Sequence, residues 1–237
     1  MSVPRLYLAG AQDKCPLLMR GNHYFLSQNN APSSHILKFE LADHLNLPAY
    51  ETFTTQLAKS VGLPVVNIEL RSIKQTHYAL IARYDRVRNK QGEEVRRLHQ
   101  EDFCQALGYG HTKKYQGCGG PSLQQCYQLV KDTSSNPAID MQHLLRWQIF
   151  NVLAGNSDGH AKNLSLLHQP NGETRPAPFY DLVCTRAIER IHYHLAFDVG
   201  DERNPSAITQ THWDRLARQC DVRPRFLSDL VGETAAL

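Results

Sequence analysis

Residues 140–153 carry apolar side chains nearly all the way round a helix. Such a helix has no face to give to water, so it must sit in the middle of a core. Gly155 ends it, and the chain passes at once into the polar octapeptide Asn156-Ser157-Asp158-Gly159-His160-Ala161-Lys162-Asn163. A buried helix that empties into a polar loop delivers carboxylate and amide groups to the rim of a core, where they can face a cleft. Asp181 follows 18 residues after Asn163, at the end of Pro178-Phe179-Tyr180-Asp181.

This spacing suits phosphoryl transfer. That reaction needs a carboxylate beside the attacking hydroxyl and oxygen ligands for a magnesium ion, in the order D-x-x-x-x-N and then a later Asp. Asp158 is the candidate catalytic base, placed to orient the acceptor hydroxyl and take its proton. Asn163 and Asp181 are the candidate metal ligands. Lys162 could neutralise the transferring phosphate, and His160 could pack against the metal-binding Asp. A plain polar turn, with Asp and Asn as turn formers, is the competing reading of the octapeptide.

Upstream, Lys38 sits inside the strand-like run Ile36-Leu37-Lys38-Phe39. An ammonium among apolar neighbours needs a partner unless the strand lies at an edge. Nucleotide phosphates are one candidate, and Glu51 on the following helix is another. The segment Ala9-Gly10-Ala11-Gln12-Asp13-Lys14 has small residues that let backbone N–H groups approach phosphate oxygens, and Lys14 adds charge.

The first 86 residues read as short strands with one helix. Strands are expected at 6–8, 16–19, 35–39, 65–70 and 78–84, with a turn at Gly21-Asn22. Phe53, Leu57 and Val61 mark a helical face between 50 and 61, stopped by Gly62-Leu63-Pro64. Beyond Asp85 a polar turn spans 89–94, helices are expected at 100–107, 123–130, 140–153 and 213–218, and 108–120 reads as a Gly-rich loop. The expected architecture is α+β in two lobes. Residues 1–86 form a strand-rich N-lobe with the phosphate loop and the ATP lysine, and 87–237 a larger helical C-lobe with the catalytic and metal-binding loops.

Composition narrows the class. At 237 residues and 41% hydrophobic content the chain can bury a core. A net charge of +3 does not argue for nucleic-acid binding. No apolar run approaches a bilayer span, and the first residues have no apolar signal region. The six cysteines form no C-x-x-C pair, so reduced thiols of a cytoplasmic protein are expected. His192-x-His194 has close spacing, but its setting alternates like a strand, and no dedicated metal role is expected there.

The segments Ala9 to Lys14, Ser34-His-Ile-Leu-Lys38, Leu57 to Leu63, Arg83-Tyr-Asp-Arg86, His99-Gln-Glu-Asp102, Gly119-Gly-Pro121, Gly155 to Asn163 and Pro178 to Asp181 together resemble the HipA-like serine/threonine kinases, toxins of bacterial toxin–antitoxin systems. They run in the family's order over nearly the whole chain. The resemblance implies a bilobal kinase-like fold and ATP with Mg2+ as cofactors. Lys38 and Asp181 would bind Mg–ATP, Asp158 would be the catalytic Asp, and Asn163 a metal ligand. The segment Ala82 to Tyr84 looks like the hinge whose backbone meets adenine. Family members phosphorylate a serine on an aminoacyl-tRNA synthetase and so stop translation. They pair with a helix-turn-helix, HipB-like antitoxin that represses their operon, so DNA contact is expected only through it.

Two departures shape the expectation. The chain starts almost at the phosphate loop, as in a short HipT-like type whose missing subdomain is a separate small protein, or as in a fragment. Tyr7 takes the position of the family's inhibitory autophosphorylated Ser, so autoinhibition there is not expected. Two other readings stay open. One is a small-molecule phosphotransferase of the aminoglycoside-kinase kind. The other is an inactive truncated module that binds antitoxin.

Overall fold

The computed structural model describes residues 14–26, 32–40, 46–88, 95–189 and 191–236. The expected strand at 6–8, the segment Ala9, Gly10, Ala11 and Gln12, Tyr7 and the turn at 89–94 lie outside these residues.

The first described part is a five-stranded antiparallel sheet in the order β2-β1-β3-β5-β4. Its strands are β1 (Lys14–Arg20), β2 (His23–Leu26), β3 (His35–Phe39), β4 (Ile68–Ile73) and β5 (Thr76–Ala82). The expected turn at Gly21-Asn22 joins β1 to β2, with Gly21 at a positive φ of 57°. In register, Lys14 of β1 lies opposite Lys38 of β3. Lys38 is therefore on a central strand, and the edge-strand reading fails.

Helix α1 (Leu47–Ser60) crosses this part of the molecule. It ends where expected: the N–H groups of Gly62 and Leu63 donate to the carbonyls of Lys59 and Ala58. Its buried face corrects the periodicity argument. Phe53 and Leu57 are 67% and 40% exposed, while Glu51, Thr52, Thr54, Thr55 and Ala58 are buried. Two of its inward polar residues find partners there. Glu51 meets Lys38, and the Thr54 hydroxyl accepts a hydrogen bond from the Cys184 N–H.

Beyond Asp85 come the hairpin β6 (Arg86–Arg88) with β7 (Val95–Arg97) and a three-stranded sheet in the order β10-β9-β8. The latter is built from β8 (His99–Asp102), β9 (Ser165–His168) and β10 (Thr174–Pro176). The helix expected at 100–107 is thus a strand followed by the short helix α2 (Phe103–Ala106). Polar residues 99–102 have no strand pattern of their own and extend because they pair with 165–168. Asp102 then caps α2, accepting from the Gln105 N–H.

The helical core is built by α3 (Leu123–Thr133), α4 (Pro137–Ala154), α5 (Gln210–Gln219) and α6 (Pro224–Ala236). The α4 residues Leu144, Leu145, Trp147, Ile149 and Phe150 are buried, as a central helix requires, while Leu153 in its last turn is 51% exposed. Gly155 closes α4 in the left-handed conformation, φ 69°. No helix among the described residues is long and apolar enough to cross a membrane. All six cysteines are free, with Cys104, Cys126 and Cys220 buried. Residues 191–195, expected as a strand, are irregular. The His194 N–H there donates to Nδ1 of His192.

Candidate active site

A cavity of about 670 Å³ lies where the five-stranded sheet meets the helical core. Ile36, Val66 and Ile81 give it apolar walls, and Tyr84 stacks on Tyr180 beside them with ring centroids 5.5 Å apart. Lys14, Lys38, Lys114 and Lys162 converge on it, facing Glu51 and Asp181. Four ammonium groups around an apolar slot suit a flat ring joined to a polyanion.

Lys38 is the centre of the electrostatics. Its Nζ lies 2.6 Å from Oε1 of Glu51 and 2.5 Å from Oδ1 of Asp181. Burial works against the lysine charge, but the two carboxylates outweigh it and hold Lys38 above the usual lysine range. For Asp181 burial pushes the carboxyl up, yet Lys38 wins and lowers it to about 2. Glu51 goes the other way. It is raised, because its burial and the repulsion of Asp181 exceed what its share of Lys38 returns. Lys14 and Lys114 are both lowered, first by burial.

The polar loop hangs from the end of α4. The Thr185 hydroxyl donates to the Gly155 carbonyl and accepts from the Ser157 N–H at 2.8 Å. Asn156 donates from Nδ2 to Asn151 and accepts the Asp158 N–H on Oδ1. Asn163 donates from Nδ2 to the Asp158 carbonyl at 3.0 Å. Each end of the loop is thereby tied to the next, and Asp158, His160 and Asn163 are all buried. Asp158 itself does not line the cavity. It lies just beyond it, beside Tyr115, Ser157, His192 and His194, with Oδ1 4.0 Å from Nε2 of His160 and accepting a hydrogen bond from the Tyr115 hydroxyl.

The structure therefore brings Lys14, Lys38, Ala82, Tyr84, His160, Lys162, Asn163 and Asp181 to one cavity, with Asp158 at its margin. At the expected hinge the Ala82 and Arg83 N–H groups already donate to the carbonyls of Asn67 and Ser34. Those two donors are not available to a ring. Asn163 and Asp181 present oxygen ligands of the hard type that Mg2+ takes. With Nδ2 of Asn163 committed to the Asp158 carbonyl, its amide oxygen is the end left for a cation, and Lys38 occupies only Oδ1 of Asp181. The residues present fit the group.

Three participants were not singled out from sequence. Lys114 is buried at the cavity, Tyr115 bonds Asp158, and Gln100 lines the cavity and accepts from the Tyr84 hydroxyl. Lys114 and Tyr115 lie in the segment read as a Gly-rich loop. Its glycines do mark a tight packing point: a Cβ on Gly120 would stand 2.5 Å from the Lys113 carbonyl oxygen and 2.8 Å from that of Tyr115. Both are backbone atoms, so the loop must move. Gly120→Ala is expected to cost about 1–3 kcal/mol in denaturant unfolding and, if the cavity takes a nucleotide, to weaken its binding through Lys114. Unchanged unfolding and binding would refute this account of the loop.

His160 supplies a pH prediction. Its ring is fully buried, packs edge-on against Tyr115 at 5.1 Å, and has no hydrogen-bond partner on either nitrogen among the described residues. Burial, then Lys114, lowers its pKa to about 3. Below roughly pH 6.5 the unfolded chain takes up a proton that the folded chain refuses until about pH 3. Stability should fall through that window by up to ~1.4 kcal/mol per pH unit from this group. His160→Leu should flatten the acid limb of a stability-versus-pH curve. An acid limb of unchanged slope would count against it.

Comparison with known proteins gives the family and the fold. The HipA-like C-terminal domain matches residues 6–237. Y4mE of Sinorhizobium fredii is 37% identical over 235 residues, covering 98% of this chain and 56% of that protein. The serine/threonine-protein kinase toxin HipA of Shewanella oneidensis is 36% identical over 217 residues, covering 86% of this chain and 49% of the toxin. The chain thus spans about half the length of these relatives. A solved complex of HipA, HipB and operator DNA from Shewanella oneidensis matches all of this chain and 57% of its own, with a TM-score of 0.91 and 30% identity. The Helicobacter pylori proinflammatory kinase CtkA, at TM-score 0.56 and 14% identity, shares the fold alone. The fold is α+β and kinase-like, and the chain belongs to the HipA-like C-terminal domain family.

Proposed function

We propose that this chain is the catalytic part of an ATP-dependent serine/threonine protein kinase, the toxin of a type II toxin–antitoxin system. The observation that carries the reading is Lys38, shared at 2.6 and 2.5 Å by Glu51 and Asp181 inside an apolar cavity ringed by lysines. A kinase site needs a lysine locked by a glutamate and an aspartate for metal.

In this reading Mg–ATP, when bound, supplies the phosphoryl group and the metal charge that neutralises it. The remaining work falls to side chains of this chain. The apolar walls and Tyr84 hold the adenine. Lys14, Lys38 and Lys114 hold the phosphates, with Asn163 and Asp181 as the metal's protein ligands. Asp158 accepts the proton of the acceptor hydroxyl, while the Tyr115 hydrogen bond fixes its carboxylate. Lys162 meets the charge that develops on the transferred group. His160 stays neutral and fills the space between cavity and Asp158.

The acceptor is proposed to be a protein serine, such as one on an aminoacyl-tRNA synthetase, so that transfer inhibits translation in the cytoplasm. A HipB-like antitoxin is the proposed partner, as the HipA–HipB–DNA neighbour supports, with DNA reached only through it.

The test is incubation of the purified chain with Mg2+, radiolabelled ATP and a bacterial lysate, beside the Asp158→Gln variant. A labelled protein band made by the wild type alone is the expected result. No band from either, with ATP failing to shift the melting temperature, would overturn the proposal.

A further inference from the structure

We propose a second, independent site: a borderline divalent metal ion of the zinc class held by His99, Glu101 and His168 on the three-stranded sheet. One ligand atom from each lies within 4.8 Å of the others. The register explains why. His99 of β8 pairs directly with His168 of β9, and Glu101, two residues along β8, points to the same face. Gln100 between them points to the opposite face and lines the nucleotide cavity. The two sites therefore sit back to back on one strand and share no ligand.

The chemistry of the set is specific. Two imidazoles and a carboxylate are the donors that Zn2+ takes when water completes its fourth position. The imidazole rings stack with centroids 5.1 Å apart, and Nε2 of His168 stands 2.9 Å from Oε1 of Glu101. The outer support is also present. Nδ1 of His168 is 3.1 Å from the hydroxyl of Thr174, its register partner on β10. A ligating histidine commonly donates its other ring N–H to an oxygen in this way, which fixes the ring and leaves Nε2 for the metal. Ligand atoms on a tetrahedral Zn2+ with bonds near 2.0–2.2 Å stand about 3.4 Å apart, so the set, now within 4.8 Å, contracts by up to ~1.4 Å at its widest through side-chain rotation. His99 is exposed and the other two are partly so, leaving an entry path.

The ordinary alternative is a metal-free hydrogen bond between His168 and Glu101. Calorimetric titration of the untagged, chelator-treated chain with Zn2+ separates the two, followed by Co2+ absorption spectroscopy. One saturable equivalent is expected, with weak Co2+ bands and no thiolate charge-transfer band. Thr174→Val should weaken binding ~10-fold, as loss of an outer partner does. His99→Ala or His168→Ala should weaken it ~100-fold or more, beyond that outer-partner loss. His99 is exposed, so its replacement leaves the fold intact even if the His168 variant does not fold. Absence of saturable binding, binding unchanged in His99→Ala, or a thiolate band that assigns the metal to cysteine would each overturn the proposal. None of these readouts depends on kinase activity.

Discussion

Lys38→Met should destabilise the protein by about 3 kcal/mol or more at pH 8, and abolish ATP binding. Removing one partner of a buried pair leaves the other charge without compensation, at ~3–5 kcal/mol. Here one ammonium serves two carboxylates. The Glu51 side chain is 2% exposed and that of Asp181 15%, so water can reach Asp181 from the cavity but hardly reaches Glu51. The low end of the range is the fair expectation.

The pH dependence makes the test sharper. Without Lys38, burial and mutual repulsion raise the carboxylates above their unfolded values. A group raised in the folded state stabilises below its unfolded pKa and loses that contribution as pH rises. The variant should therefore approach the wild type near pH 5 and fall away from it toward pH 8. The wild type keeps the Lys38–Asp181 pair across that window, because Lys38 is raised and Asp181 is lowered to about 2, while Glu51, itself raised by burial, is the first of the two carboxyls to take up a proton as pH falls. Denaturant melts at the two pH values would show it. An equal gap at both would mean that the lost packing of the lysine stem, not its charge, matters.

Asp158→Gln and Asp181→Ala should fail in different ways. If Asp158 is the base, Asp158→Gln should lower transfer by ~10²–10⁴-fold with ATP affinity retained, since the carboxylate lies outside the cavity. The Tyr115 hydroxyl can still donate to the glutamine carbonyl, so the loop should hold. If Asp181 is the metal ligand, Asp181→Ala should instead weaken Mg–ATP binding itself, and it leaves Lys38 paired with Glu51 alone. Calorimetry with Mg–ATP, together with single-turnover transfer at saturating nucleotide, separates the two. Loss of ATP binding in the Asp158 variant would place that residue in the nucleotide site. Full transfer by it would remove it from the chemistry.

What could be read from sequence followed a physical divide. The central helix, its Gly155 end and the loop after it were legible because apolar burial and helix termination are local signals. So was the need for a Lys38 partner, since a buried ammonium is costly wherever the chain goes. The face of α1 was not legible. Phe53 and Leu57 have helical spacing, but the buried side was decided by Lys38, whose candidate partner Glu51 was named from sequence, and by Cys184, 130 residues from Thr54; apolar periodicity reports neither. Strand β8 was missed for the same reason, as polar residues became a strand only by pairing with 165–168. Helix α6 did carry a signal, Pro224 ahead of Leu227 and Leu230. At the site, Asp158, Asn163 and Asp181 stand out by spacing. Lys114 and Tyr115 do not, because nothing local tells a loop lysine whether it will be buried.

The segment 179–184 has one more implication. It is laid across the early part of the chain by a parallel bridge from Phe179 to Val65, by the Cys184 bond to Thr54 and by the Asp181 contact with Lys38, which joins residues 143 apart. Contacts so distant in sequence form slowly, because a long loop must close before they return anything. During synthesis the sheet and α1 can be made well before their counterpart exists. The lysine cradle cannot be completed until residue 181 has left the ribosome. Ribosome-stalled lengths ending before and after that point should therefore differ abruptly in nucleotide capture if the cavity is the proposed nucleotide site.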